Sequence, residues 1–132
     1  MLYIDIDLKK ELIEHSKDEF PNEACGILAG RNCGVKKIYK MKNSDKSATS
    51  FFMDPQEQLK AMKEIRASGL DFIAIYHSHP ETEAYPSAHD VELAYYPDVS
   101  YIIISLKDKD NPDVRSYKIK DGNIAGEEVK TV

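Results

Sequence analysis

Residues 76–90 read YHSHPETEAYPSAHD. His77 and His79 stand one residue apart, and Ser87 and Asp90 follow within a helix turn of each other. In an extended strand residues i and i+2 share a face, so the two imidazoles project together while Tyr76 and Ser78 point the other way. Two imidazoles on one face are the first half of a metal site. A catalytic zinc commonly takes three protein ligands from His, Asp and Glu and keeps a fourth position for water. Asp90 is a candidate third ligand, because it falls in the first turn of a following helix and the loop before it is short enough to bring it back. Glu81, Glu83 and His89 compete for that place. Ser87 and Asp90 also have the S-x-x-D spacing of a capping box, which would account for the pair without any metal. Hydrolysis at such a centre needs a base for the proton of the attacking water, and glutamate is the usual choice in zinc peptidases. Glu23, in PNEACGILAG, precedes an apolar strand punctuated by glycines, where a carboxylate is either a solvated strand end or a positioned base.

The elements around these residues follow from periodicity and punctuation. DFIAIYHSHP is a continuous apolar run between a helix and a proline, the pattern of a central strand covered on both faces. Its carboxyl end carries the histidines, and ligands in open α/β sheets bind beyond such ends. Residues 7–19 are amphipathic at helical intervals and Pro21 ends them; His15 falls on what reads as the polar side and is expected to be solvated, as is His89. A strand is expected at 24–30, a half-exposed partner in GVKKIYKMKN and a short third strand in SFFMD. DPQEQLKAMKEIRASG predicts a helix with Asp54 at the N-cap, Pro55 at the first position and Gly69 at the stop. SAHDVELAYY reads as a further helix, SYIIISL as a second central strand, DVRSYKIKDG as a strand ending in a turn, and the tail as one short strand. The alternation predicts an α/β domain, a mixed β-sheet flanked by helices.

Composition narrows the classes. The 132 residues, 42% hydrophobic, suit one domain over 1–132 with a single core. A net charge of −5, with lysines scattered among acids, argues against a nucleic-acid or anionic-membrane partner. The charged N-terminal run MLYIDIDLKKELIEH lacks the apolar core of a secretory signal, and no segment approaches a membrane span, so a cytoplasmic protein is expected. Cys25 and Cys33 are too few for a disulfide scaffold and fall at different heights of the expected hairpin, so both read as reduced thiols.

Taken together, Glu23, the His77-Ser78-His79-Pro80 run, and Ser87 with Asp90 resemble the JAMM (MPN+) metalloproteases. That family's pattern is an upstream glutamate, then H-x-H, seven residues, S, two residues, D. Here the seven run from Pro80 to Pro86. PNEACGILAG is similar to the family's P-x-E-x-C-G-x-L-x-G strand, and FFMDPQEQLKAM to the segment before the second helix of its small prokaryotic members, so the likeness spans about residues 1 to 120. The resemblance implies a cytidine-deaminase-like fold, although the deaminases' own H-x-E and P-C-x-x-C signature is absent. It implies Zn²⁺ held by His77, His79 and Asp90, Glu23 as the base, and Ser87 as the stabiliser of the oxyanion. It further implies cleavage after the C-terminal Gly-Gly of a ubiquitin-like protein. A sulfur-carrier protein bearing an added cysteine or other residue is favoured over a modifier attached to lysine. The rival readings are a binding module for ubiquitin-like proteins with a structural zinc, and a metal-dependent small-molecule hydrolase or deaminase.

Overall fold

A computed structural model describes residues 1–132. In chain order the elements are β1 (Leu2–Ile4), α1 (Ile6–Glu19), β2 (Cys25–Arg31), β3 (Gly34–Met41), α2 (Pro55–Ala67), β4 (Asp71–His79), α3 (Ala88–Glu92), β5 (Ser100–Ser105), β6 (Asp113–Lys120), β7 (Asn123–Glu127) and β8 (Val129–Thr131). The strands form one mixed sheet in the order β7-β6-β5-β4-β2-β3-β1-β8. β4 is central: it pairs antiparallel with β2 and parallel with β5, and the crossover between β4 and β5 carries α3.

Side chains alternate across the sheet and so build two cores. Ala74, Tyr76, Ile102 and Ile104 face a core completed by Leu12 of α1. Ile75, Tyr101 and Ile103 join a larger core on the opposite face, closed by Ala61 and Ile65 of α2. The expectation of strands covered on both faces holds for β4 and β5, and His77 takes the α2 face in step with Ile75. Between the two faces, Gly26 of β2 lets the sheet close around the Tyr76 ring. A Cβ there would stand 2.4 Å from Tyr76 Cε1 and 2.5 Å from the Tyr39 carbonyl oxygen.

α2 starts where its sequence signals place it. Asp54 accepts from the Gln56 N–H at 3.1 Å and Pro55 occupies the first turn. Four expectations are corrected. α3 is five residues long instead of ten, because Pro97 disfavours helical backbone at Tyr96 and the Tyr96 N–H donates to the Tyr101 hydroxyl at 2.9 Å. SFFMD forms a single bridge, Asn43 to Met53, because the Phe52 N–H is taken by the Asn43 side chain at 3.1 Å. The chain termini supply three short strands, β1, β7 and β8, where one was read. His15 is buried, with Nδ1 2.8 Å from the Tyr76 hydroxyl; it continues the stripe that Leu12 begins and does not lie on the solvated face. Cys25 is buried and Cys33 exposed at the β2–β3 turn, both as free thiols.

Candidate active site

β4 ends in the histidine pair, and both rings are buried. The Nε2 atoms of His77 and His79 lie 3.1 Å apart, and each lies 3.1 Å from Asp90 Oδ2, so three potential ligand atoms form a triangle with equal edges. Of the four candidates for a third residue, Asp90 is the one that lies with the two histidines, whereas Glu81, Glu83 and His89 are exposed and outside this cluster. Glu83 contributes its backbone instead. His79 Nδ1 donates to the Glu83 carbonyl oxygen at 2.8 Å, which leaves the lone pair of a neutral His79 on Nε2, aimed into the triangle. His77 stacks on Phe51, with ring centroids 4.7 Å apart.

Asp90 is aimed by its own helix start. Ser87 is the N-cap of α3: its Oγ accepts from the Asp90 N–H at 3.1 Å, and Asp90 Oδ2 accepts from the Ser87 N–H at 2.9 Å. The capping-box reading and the ligand reading therefore apply to the same carboxylate.

The loop between β4 and α3 is staked from β5 and β6. Ser105 Oγ donates to the Thr82 carbonyl at 2.6 Å, the Tyr117 hydroxyl donates to the Ala84 carbonyl, and the Leu106 N–H donates to the His79 carbonyl at 3.0 Å.

Glu23 lies just before β2 and is 2% exposed, with Oε1 buried and without a hydrogen-bond partner. Two residues to which the sequence assigns no role here fix its backbone. Ser78, between the two histidines, accepts the Ala24 N–H on Oγ at 2.7 Å, and its own N–H donates to the Ala24 carbonyl at 3.0 Å. Asn43 is buried and donates to the Glu23 and Ser50 carbonyls, both at 3.0 Å. The side chain of Ser78 thus points away from the face of the two imidazoles, as strand alternation requires, and clamps the glutamate-bearing segment to the histidine strand.

Electrostatics follow from burial. Loss of water pushes the Glu23 carboxyl up to about 8, His79 opposing the rise and Asp90 adding to it. Burial lowers His77 despite its contact with Asp90. For His79 burial also acts downward, but the Asp90 and Glu83 hydrogen bonds outweigh it and the net shift is upward. Burial alone would raise Asp90, whereas hydrogen bonding to His77 and His79 holds it well below the usual carboxylate range.

The donor set fits a zinc ion. Tetrahedral bonds of about 2.0 Å separate neighbouring ligand atoms by about 3.3 Å, close to the observed edges. Two imidazole nitrogens and a carboxylate oxygen converge here, with one nitrogen's proton committed elsewhere, so the cluster presents lone pairs to a common point. A cation relieves that convergence.

Known proteins resemble this chain along most of its length. The chain matches the family described as prokaryotic homologs of the JAB domain over residues 6–120. It is 38% identical to the CysO-cysteine peptidase of Mycobacterium tuberculosis over 134 residues, covering 100% of this chain and 92% of that protein. It is 34% identical to a Thermus thermophilus protein described as "Probable TtuB-protein conjugate cleaving protease", covering 92% of this chain and 78% of that one. The solution structure of a protein from Desulfitobacterium hafniense superposes with a TM-score of 0.92 at 39% identity, over 100% of this chain and 93% of that chain. A JAB1/MPN domain protein from Archaeoglobus fulgidus superposes with a TM-score of 0.66 at 19% identity, over 100% of this chain and 97% of that chain, a likeness of fold alone. The chain belongs to the prokaryotic JAB-domain family, and its fold is the JAMM/MPN fold. It is a hydrolase of the peptidase class.

Proposed function

We propose that this hydrolase uses zinc, held by His77, His79 and Asp90, to cleave after the C-terminal Gly-Gly of a ubiquitin-like protein. The favoured substrate is a sulfur-carrier protein with a cysteine added after the Gly-Gly. The observation that carries the reading is the triangle of ligand atoms beside a buried, unpartnered Glu23 carboxylate. Likeness to a CysO-cysteine peptidase along the whole chain supports the substrate.

Zinc at this site would lower the pKa of a water to about 7 and polarise the scissile carbonyl. Glu23, as the base, takes a proton from the attacking water and returns it to the departing amine as the C–N bond breaks, so no proton is lost to bulk. Its Oε1 has no other hydrogen-bond partner, and a cation held at the triangle would oppose the upward push of burial and keep the carboxylate ionised to accept that proton. Ser87 stabilises the oxyanion: Oγ already accepts from the Asp90 N–H, which leaves the hydroxyl proton free to donate to developing negative charge. The free thiols of Cys25 and Cys33 suit a reducing cytoplasm as the place of action.

The test combines metal content with cleavage. One zinc per chain is expected in the wild type, lost together with activity in His77→Ala and Asp90→Ala. Glu23→Gln should keep the metal and lose about 10²- to 10⁴-fold in rate. A wild type that binds zinc and releases a lysine-linked modifier while leaving a Gly-Gly-Cys carrier intact would favour the conjugate-cleaving reading instead, the activity named in the Thermus relative.

A further inference from the structure

The two histidines of the triangle are oriented by different means. His79 Nδ1 donates to the Glu83 carbonyl at 2.8 Å, the outer contact that ligating imidazoles ordinarily make and that fixes both tautomer and ring plane. His77 has no such contact. It is buried, and its Nδ1 has no hydrogen-bond partner. The terminal torsion of a histidine is broad, so the strand that places the His77 Cβ does not by itself fix the plane of the ring. A turn of that plane swings Nε2 away from the point it shares with His79 Nε2 and Asp90 Oδ2.

Aromatic packing supplies what the hydrogen bond does not. The Phe51 ring covers one face of His77, with centroids 4.7 Å and planes 24° apart, and His79 meets the same imidazole at 4.9 Å and 62°. A stack on one side and an edge contact on the other leave the ring a single plane. Phe51 is held in its turn. On one side of it in the chain the Ser50 carbonyl accepts from Asn43 Nδ2 at 3.0 Å, and on the other the Phe52 N–H donates to Asn43 Oδ1 at 3.1 Å. Its own ring is half-buried and packs on the core that α2 closes, whereas Phe52 is exposed.

We propose, resting on the zinc reading above, that Phe51 is the positioning residue of His77 and does by stacking what the Glu83 carbonyl does for His79 by hydrogen bonding. Phe51 touches neither the metal nor the reacting atoms. Its ring keeps His77 Nε2 aimed at the triangle and blocks the turn by which that ligand would let go. The effect therefore falls on how fast zinc leaves more than on how fast it enters. His79 is independent of it, because its restraint is a backbone carbonyl.

The experiment measures zinc release and ring placement separately. Zinc-loaded wild type, Phe51→Leu, Phe51→Tyr and Phe52→Leu are mixed with an excess of a chromophoric zinc chelator, well below their melting temperatures, and the release rate is followed. Leucine keeps most of the apolar volume, so the fold is retained while the stack is lost. Phe51→Leu should release zinc about tenfold or more faster than wild type, the loss typical when an outer partner of a ligand is removed. Phe51→Tyr keeps the ring and should release at close to the wild-type rate, as should Phe52→Leu, whose ring does not stack on His77. In the metal-free proteins, proton NMR should show the His77 ring signals moved upfield by the Phe51 ring current in wild type and returned in Phe51→Leu, with those of His79 unchanged. Release from Phe51→Leu at the wild-type rate overturns the proposal, whatever the ring signals do. Release from Phe51→Tyr or Phe52→Leu as fast as from Phe51→Leu overturns it too, because the stacked ring would then not be what holds the ligand. A wild type that shows the ring-current shift but takes up no zinc overturns the zinc reading itself, and this inference with it.

Discussion

Replacing Asn43 with alanine separates what holds Glu23, the proposed base, from what holds the proposed metal ligands. The Asn43 side chain uses its full hydrogen-bonding capacity: Nδ2 donates to the Glu23 and Ser50 carbonyls, and Oδ1 accepts from the Asp45 and Phe52 N–H groups at 3.0 and 3.1 Å. Each such bond is worth about 1 kcal/mol net, and a buried partner left unpaired costs more. Asp45 is exposed and its amide can rehydrate, whereas Glu23 is buried. The expected loss of stability is therefore about 2–3 kcal/mol, or a fall in Tm of about 6–12 °C for a chain of this size. Function should fall further than stability explains. The proposed ligands come from β4 and α3, so zinc content should stay at the wild-type level. Glu23 loses a backbone anchor, and a misplacement of about 1 Å in a reacting group costs about 10²-fold in rate. Thermal denaturation, zinc analysis and cleavage kinetics well below both melting temperatures measure the three effects. Asn43→Asp keeps both acceptor bonds but sets a buried carboxylate oxygen against the Glu23 and Ser50 carbonyls, so it should recover neither the stability nor the kcat. A variant that is destabilised but cleaves with unchanged kcat would refute the claim that Asn43 places Glu23.

Gly26→Ala should destabilise the fold by about 3 kcal/mol, because the new methyl would overlap both the Tyr76 ring and a backbone carbonyl that cannot move independently of the ladder; denaturant titration giving a loss under about 0.5 kcal/mol would contradict the close approach. His15 gives a pH signature. Burial lowers its pKa below the ordinary value of about 6.5. The unfolded chain therefore binds more protons between the folded pKa and about 6.5. The histidine's contribution to stability is complete above that range and is lost as pH falls through it, so His15→Gln should flatten the pH dependence of unfolding below about pH 6.5, and an unchanged slope would show that His15 does not titrate as a buried base.

The sequence made the site legible where its geometry is local, and hid it where positioning is long-range. His77 and His79 share a face because any strand would put them there, and Ser87 and Asp90 converge because any helix start would. The α2 helix was equally readable, since Asp54, Pro55 and the following periodicity all act within one turn. Ser78 and Asn43 left no such signal: their partners, Ala24 and Glu23, are 54 and 20 residues away. β1 was invisible for the same reason, being three residues long and paired with a strand from the other end of the chain. His15 is a different case. Its spacing continues the stripe through Leu8 and Leu12 while its polar ring argues for the solvated face; the Tyr76 hydroxyl that makes its burial tolerable lies 61 residues away.

Asp90 shows why the family's spacing takes the form it does. A glutamate at its position would complete a capping box with Ser87 at least as well, since the longer acid is the commoner partner. The same carboxylate must also reach the point where the Nε2 atoms of His77 and His79 converge, and Asp90 Oδ2 meets both demands at once, 2.9 Å from the Ser87 N–H and 3.1 Å from each imidazole nitrogen. An extra methylene would carry the carboxylate past one of the two. The box needs only four consecutive residues, so the start of α3 can form without a metal and hold the side chain in its bound rotamer. If Asp90 is a ligand as proposed, its ordering entropy is spent during folding rather than on metal binding, and the site would meet the ion already shaped for it.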